Sequence, residues 1–170
     1  MLDFAEQYSD YLVPVELDVC NYEQIKEVAK KIKDIQILIN NAGFAGDSGC
    51  FYNYNEDVAK YEMEVNYYGP MRLINEFSSQ LLESTQAAIV NVVSIGAFTP
   101  APMHITYSAA KAAMYSVTGA LRLELRGRIF LYLECIQDRL ILPWQKNLMR
   151  TRNRLKLLQC ACLMEWQTVC

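Results

Sequence analysis

Two short runs constrain this chain most: Ile35-Gln-Ile-Leu-Ile39 and Ala88-Ile-Val-Asn-Val-Val93. Each is almost wholly apolar and rich in branched side chains, and each is too short to be a free-standing helix. Runs of this kind fit strands buried on both faces. Between them, about Asp57 to Glu83, apolar residues such as Val65, Leu73, Phe77 and Leu81 follow a helical pattern. Pro70 lies inside that pattern and predicts a bend or a local loss of hydrogen bonding.

The same alternation extends in both directions. Leu12 to Val19 reads as a strand with Pro14 near its start. Asn21 reads as the cap of a helix from Tyr22 to Ile32, where Ile25, Val28, Ala29 and Ile32 recur at helical spacing. From Tyr107 to about Arg126 the pattern is helical again, with small residues at Ala109, Ala110, Ala112 and Ala113. Ile129 to Leu133 suits one more strand. From Leu140 to Cys170 no firm period holds, and one or two loosely specified helices are expected. Strand–helix alternation of this kind defines an α/β fold with a parallel sheet and right-handed crossovers.

Composition narrows the function. The chain has 170 residues, 16 basic and 19 acidic, for a net charge of −3. No long basic block runs through the first 120 positions, so nucleic acid is not an expected partner. The basic cluster of Lys146, Arg150, Arg152, Arg154 and Lys156 reads as a solvated face. No apolar run is long enough to span a bilayer, and the first residues carry acids in place of a basic leader. No membrane partner is expected, and a cytoplasmic location is the default. The six cysteines, at positions 20, 50, 135, 160, 162 and 170, form no Cys-x-x-Cys pair and read as reduced thiols; no metal site is expected.

The strongest chemical signal is Tyr107-Ser-Ala-Ala-Lys111. On a helix, residues four apart share a face, so a phenol and an ammonium lie side by side. A positive neighbour favours phenolate and lowers the tyrosine pKa, which suits proton exchange with a carbonyl or an alcohol. Ser94 stands just past a buried strand, and ligands of open α/β sheets bind beyond the carboxyl ends of the strands. Ser94 and Tyr107 are therefore expected to converge on one cleft. His104, in the intervening loop, could line that mouth, though a solvent-facing loop histidine is the simpler reading. Pro100, Pro102 and Met103 shape the same wall.

Several spaced motifs together resemble the classical short-chain dehydrogenase/reductase family. Asn40-Asn41-Ala42-Gly43 is similar to the family's Asn-Asn-Ala-Gly after a central strand. Asn66 in Glu64-Val-Asn-Tyr-Tyr-Gly69 is similar to its active-site asparagine, Ser94 to its serine, and Tyr107 and Lys111 to its Tyr-x-x-x-Lys pair. Asp18 resembles the acid that approaches the adenine side of the cofactor. The resemblance covers roughly residues 10 to 126. It implies Tyr107 as general acid/base. Lys111 would tune it and bind the nicotinamide ribose, Ser94 would orient the substrate oxygen, and Asn66 would support a water-linked proton path. Asn40, Ala42 and Gly43 would line the cofactor cleft. The implied activity is NAD- or NADP-dependent interconversion of a carbonyl and an alcohol, with a small-molecule substrate and a homo-oligomer if the fold is complete.

Two departures qualify that expectation. The seven glycines, at 43, 46, 49, 69, 96, 119 and 127, form no Gly-x-x-x-Gly-x-Gly turn, which the pyrophosphate requires for close backbone approach at a helix N-terminus. After Leu133 to Ile136 the family's Pro-Gly loop is absent, and Pro143-Trp144 is not equivalent in spacing. The expected fold is thus an incomplete Rossmann-like doubly wound parallel sheet lacking the first βαβ unit. A partial catalytic domain would span 1–136, followed by a divergent basic, cysteine-containing tail over 137–170. Loss of that unit is expected to leave the Ile35 and Ala88 strands with an open edge or a gap. Intact motifs between altered ends suggest a shortened or frame-altered product. Two other readings stay open: an inactive fragment or interaction module that keeps the core, and an epimerase or dehydratase with a similar tyrosine–lysine site.

Overall fold

The computed structural model describes residues 13–126, with full side-chain surroundings, and the backbone of Phe130–Gln137 and Leu157–Cys160. The first helix, α1, runs over Tyr22–Lys31, and the Asn21 side chain caps it by accepting from the Gln24 N–H. Its buried face is Ile25, Val28 and Ala29, three of the four positions expected from the spacing. Strand β1 follows at Ile37–Asn40.

The long helical stretch is three segments. Helix α2 spans Glu56–Met63, a π-helical turn covers Glu64–Tyr68, and α3 runs over Gly69–Glu83. Pro70 explains the break. It has no N–H to return to the Asn66 carbonyl, so the ladder loosens, and the Gly69 N–H reaches the Glu64 carbonyl five residues back. Gly69 is also where the Val19 turn packs against the helix; a Cβ there would lie 3.0 Å from the Val19 carbonyl oxygen and from its Cβ.

Strand β2 spans Ala87–Ser94, and a short 3₁₀ turn at Ile95–Ala97 leads through the loop to α4, Ile105–Glu124. Strand β3 is Phe130–Gln137 and strand β4 is Leu157–Cys160. All four strands are parallel, in the order β3-β2-β1-β4. In β2, Ala87, Ile89 and Val93 join the main core with Leu38, Ile25, Leu73, Phe77, Leu81 and Met114, while Ala88, Val90 and Val92, which point the other way, are buried too. Both faces of the strand are covered, as its unbroken apolar run predicts. The architecture is an incomplete Rossmann-like α/β fold.

Three expectations are corrected. Residues 13–18 form no strand: Val13 is 85% exposed and Val15 45%, and among the described residues no strand pairs with this segment, whose backbone therefore has no ladder partner there. The open edge expected on Ile35–Ile39 is filled. Leu157–Cys160 pairs along the whole of β1, with Asn40 opposite Cys160, while β2 lies directly against β1 on the other side, so no gap separates them. Within the stretch expected to be helical, Leu157–Cys160 is therefore extended; the rest of Leu140–Cys170, including the basic cluster, lies outside the described residues.

Candidate active site

Beta strands deliver side chains to their carboxyl ends, and here that end carries Ser94. The Ser94 hydroxyl accepts the Gly96 N–H at 3.1 Å, which fixes the turn that carries the chain away from the sheet. Gly96 sits in the site itself. A Cβ built on it would lie 3.2 Å from the Ser108 hydroxyl, 3.5 Å from that of Ser94 and 3.8 Å from the Tyr107 ring.

Helix α4 brings Tyr107 and Lys111 to the same place. Its buried residues Ser108, Ala110, Lys111, Met114 and Thr118 form the face turned to the sheet. The Tyr107 ring and the Ser94 hydroxyl both lie against Gly96, within 3.8 Å and 3.5 Å of a Cβ built there. One turn on, Lys111 is only 4% exposed; its ammonium donates to the Val92 carbonyl at 3.0 Å and lies 5.8 Å from the centre of the Tyr107 ring. Serine, tyrosine and lysine thus converge as their spacing predicts.

The electrostatics differ from that prediction. Burial raises the Tyr107 pKa above the ordinary phenol value; the Ser94 hydroxyl works against this, and the nearby Glu62 charge adds to it. Lys111 is itself pushed down to about 8 by burial. Its ammonium is directed at a backbone carbonyl, and the lowering of the tyrosine expected from it is not realised in this arrangement.

Asn66 is fully buried in the π turn, and its side chain is spent on backbone. Its amide donates to the carbonyls of Phe44, at 2.6 Å, and of Glu62, at 2.8 Å, while its oxygen accepts the Phe44 N–H at 3.2 Å. Asn66 thereby anchors the segment that leaves Asn40-Asn-Ala-Gly43. Asn40 donates to the Asn91 side chain at 2.8 Å, and Asn91 donates to Thr118 at 2.9 Å, a buried polar link from β1 through β2 to α4. The Asn40 side-chain oxygen is buried without a partner at the carboxyl end of β1. Ala42 is buried beside it. Asp18 stands apart from this cluster. It is exposed, and its carboxylate accepts the Cys20 N–H at 2.9 Å in the turn before α1.

Two residues were missed or misread in the sequence. His104 does not face solvent freely. It is half-buried at the start of α4, with its Nδ1 3.1 Å from the Gly46 carbonyl oxygen. Glu62 is fully buried, and its Oε1 accepts the Gly46 N–H at 2.9 Å. Its only sequence signal is its place one turn before Asn66. Among the described residues no cluster of three or more metal-ligating side chains occurs, and no helix is long and apolar enough to cross a membrane.

Three donors at one strand end (the phenol, the hydroxyl and the ammonium) fit a carbonyl oxygen and the hydroxyls of a ribose. No glycine-rich turn in this chain fits a pyrophosphate. The residues present therefore suit the nicotinamide half of a dinucleotide.

Comparison with known proteins agrees with the fold. The family described as short chain dehydrogenase matches residues 2–133. A fission-yeast protein from Schizosaccharomyces pombe, NADPH-dependent 1-acyldihydroxyacetone phosphate reductase, is 34% identical over 67% of this chain and 40% of its own length. Among solved structures, a short-chain dehydrogenase from Burkholderia cenocepacia in complex with NADP is 37% identical, with a TM-score of 0.68 over 73% of this chain and 52% of that one. A short-chain dehydrogenase from Streptomyces avermitilis is 28% identical, with a TM-score of 0.71 over 78% of this chain and 50% of that one. These matches define the fold as that of the short-chain dehydrogenases. The chain belongs to the short-chain dehydrogenase family, and it spans about 40% of the length of the curated relatives it matches.

Proposed function

We propose that this chain carries the carbonyl-side half of an NADP- or NAD-dependent oxidoreductase that interconverts a small-molecule carbonyl and the corresponding alcohol. The observation that carries this reading is the convergence of Ser94, Tyr107 and Lys111 at the carboxyl end of β2. A bound nicotinamide would supply or accept the hydride. The protein's own task is positioning and proton transfer. Ser94 holds the substrate oxygen, and the Tyr107 phenol gives its proton to that oxygen during reduction or takes one during oxidation. The phenol keeps its proton at neutral pH and stands ready as the donor in reduction, while burial, which raises its pKa, makes it a weaker acid than a free phenol. Lys111 would present its ammonium to the ribose hydroxyls, and its lowered pKa leaves it able to exchange a proton near neutrality. Asn66 acts on this site through the backbone it anchors, and Asn40, Ala42 and Gly43 form the floor of the adjoining cleft. Asp18 would approach the adenine end.

The relatives that bind NADP support a nicotinamide cofactor; within this chain the choice between NADP and NAD falls to Asp18. Calorimetric titration of the folded chain with NADPH and NADH tests the reading. Saturable binding, followed by carbonyl reduction that Tyr107→Phe abolishes, is the expected result. A folded chain that binds neither would overturn it and favour an interaction module that keeps the core.

A further inference from the structure

Helix α4 is fastened to β2 by two side-chain hydrogen bonds. The Lys111 ammonium donates to the Val92 carbonyl at 3.0 Å, and the Asn91 amide donates to the Thr118 hydroxyl at 2.9 Å. The anchor points are consecutive on the strand but seven residues apart on the helix. Seven residues make two turns, about 10 Å of helix, so Lys111 and Thr118 lie on one face. Both are buried in that face, Thr118 at 0% exposure.

The second bond belongs to a chain of bonds that runs one way. The Thr118 hydroxyl donates to the Met114 carbonyl at 2.8 Å, one turn back on the same helix. Its only proton is thereby engaged, and it meets Asn91 as an acceptor. Asn91 must then turn its amide NH2 to Thr118 and its oxygen to Asn40, whose own NH2 donates to that oxygen at 2.8 Å. Asn40 is left with a buried oxygen that has no partner. The direction set by Thr118 thus explains which end of the chain is orphaned: the end on β1, and not the end that ties down α4. Pairing between β1 and β2 stops at Asn40 opposite Asn91, so the Val92 carbonyl stands just past the last β1–β2 pair, where Lys111 reaches it.

We propose that Thr118 is a positioning residue for Lys111: by holding the Asn91 amide it fixes the rotation and height of α4 on β2, and so sets the lysine ammonium on the Val92 carbonyl. One bond alone would let the helix pivot about it; a second bond two turns away removes that freedom. Met114, between the two anchors on the same face, is buried but apolar, and apolar packing resists sliding less than a directional hydrogen bond does. The catalytic meaning of this placement rests on the role proposed above for Lys111; the placement itself does not.

Valine labelled with carbon-13 at the carbonyl and nitrogen-15 at the amide tests this. Val92-Val93 is the one Val–Val pair in the chain, so a carbonyl–amide correlation spectrum shows the Val92 carbonyl alone. Lys111→Met removes the ammonium and marks where the signal of the released carbonyl lies. Thr118→Val keeps the shape of the side chain and loses its hydroxyl; Thr118→Ser keeps the hydroxyl. The expected result is a Val92 signal displaced most of the way to the Lys111→Met position in Thr118→Val and held at the native position in Thr118→Ser. A signal that stays native in Thr118→Val, whatever stability that variant loses, would overturn the proposal, as would an equal displacement in Thr118→Ser. If Thr118→Val does not fold, Thr118→Ala, which also lacks the hydroxyl, is read in the same way. The spectrum needs no cofactor, so the expected displacement in a chain that binds neither NADPH nor NADH would uphold this inference while overturning the function proposed above.

Discussion

Asn66 closes a two-point clasp on Phe44, donating to its carbonyl at 2.6 Å and accepting its N–H at 3.2 Å. Neither of those backbone groups belongs to a helix or a strand, so the asparagine is what satisfies them. Replacing Asn66 with alanine should leave buried donors and acceptors unpaired and cost about 2–3 kcal/mol, since each orphaned buried group costs ~1–3 kcal/mol. Asn66→Asp should be no better, because a carboxylate cannot donate to Phe44 and Glu62. Urea denaturation of the three proteins measures this; a loss below ~0.5 kcal/mol would show that water takes over the clasp.

Lys111 makes stability depend on pH in a direction opposite to that of a paired lysine. Its folded-state pKa of about 8 lies below the unfolded value of 10.5, so between those limits the unfolded chain holds more protons than the folded one. Stability should therefore rise as pH climbs from about 8 towards the ordinary lysine range. Tyr107, raised above its ordinary value, opposes this at the top of the range, where the unfolded chain loses its phenolic proton first. Denaturation midpoints measured across that window should climb in the native chain, and Lys111→Met should flatten the climb.

Ser94 is the group that favours the tyrosinate. Ser94→Ala should therefore raise the Tyr107 titration midpoint further, while the Gly96 N–H loses its side-chain acceptor. Titration of carbon-13-labelled tyrosine side chains, with the Tyr107 signal assigned by its loss in Tyr107→Phe, reads this shift. A fall would mean that the hydroxyl serves the neutral phenol and not its anion.

Phe77 has no exposed surface and lies in the core between α1, α3 and the sheet. Phe77→Ala should cost about 3–5 kcal/mol through lost burial and the cavity left behind. That loss, set beside a smaller one for the exposed Phe51→Ala, checks whether the core is where the structure places it.

Removing Leu157–Cys160 should uncover the β1 edge, and an unpaired edge seeks another strand. The shortened protein should form oligomers at concentrations where the native chain does not, as light scattering would report.

How much of this was legible beforehand follows from the range of each signal. Ser94, Tyr107 and Lys111 could be placed because strand ends and four-residue helical spacing are local geometry. The break near Pro70 was legible too, since the missing N–H is a property of one residue, although its resolution as a π turn was not. Leu12–Val19 carried the composition of a strand, but over residues 13–18 no partner strand lies beside it among the described residues, and pairing is not written in a single segment. Glu62 was hidden among Glu56, Asp57 and Glu64, where one more acid on a helix looks like a solvated face. The raised phenol pKa depended on burial and on Glu62, which only the folded arrangement combines.

The partner of β1 on its outer side comes from far along the chain: Asn40 stands beside Cys160, while β2 and β3 follow β1 through successive crossovers. Contacts between distant segments form late, because the intervening loop must be closed before the pairing gives anything back. By that rule the sheet should assemble from its middle outward on one side and be sealed on the other last. Until that closure a strand as apolar as Ile37–Asn40 would be bare along one edge, so slow closure would leave it open to pairing with another chain.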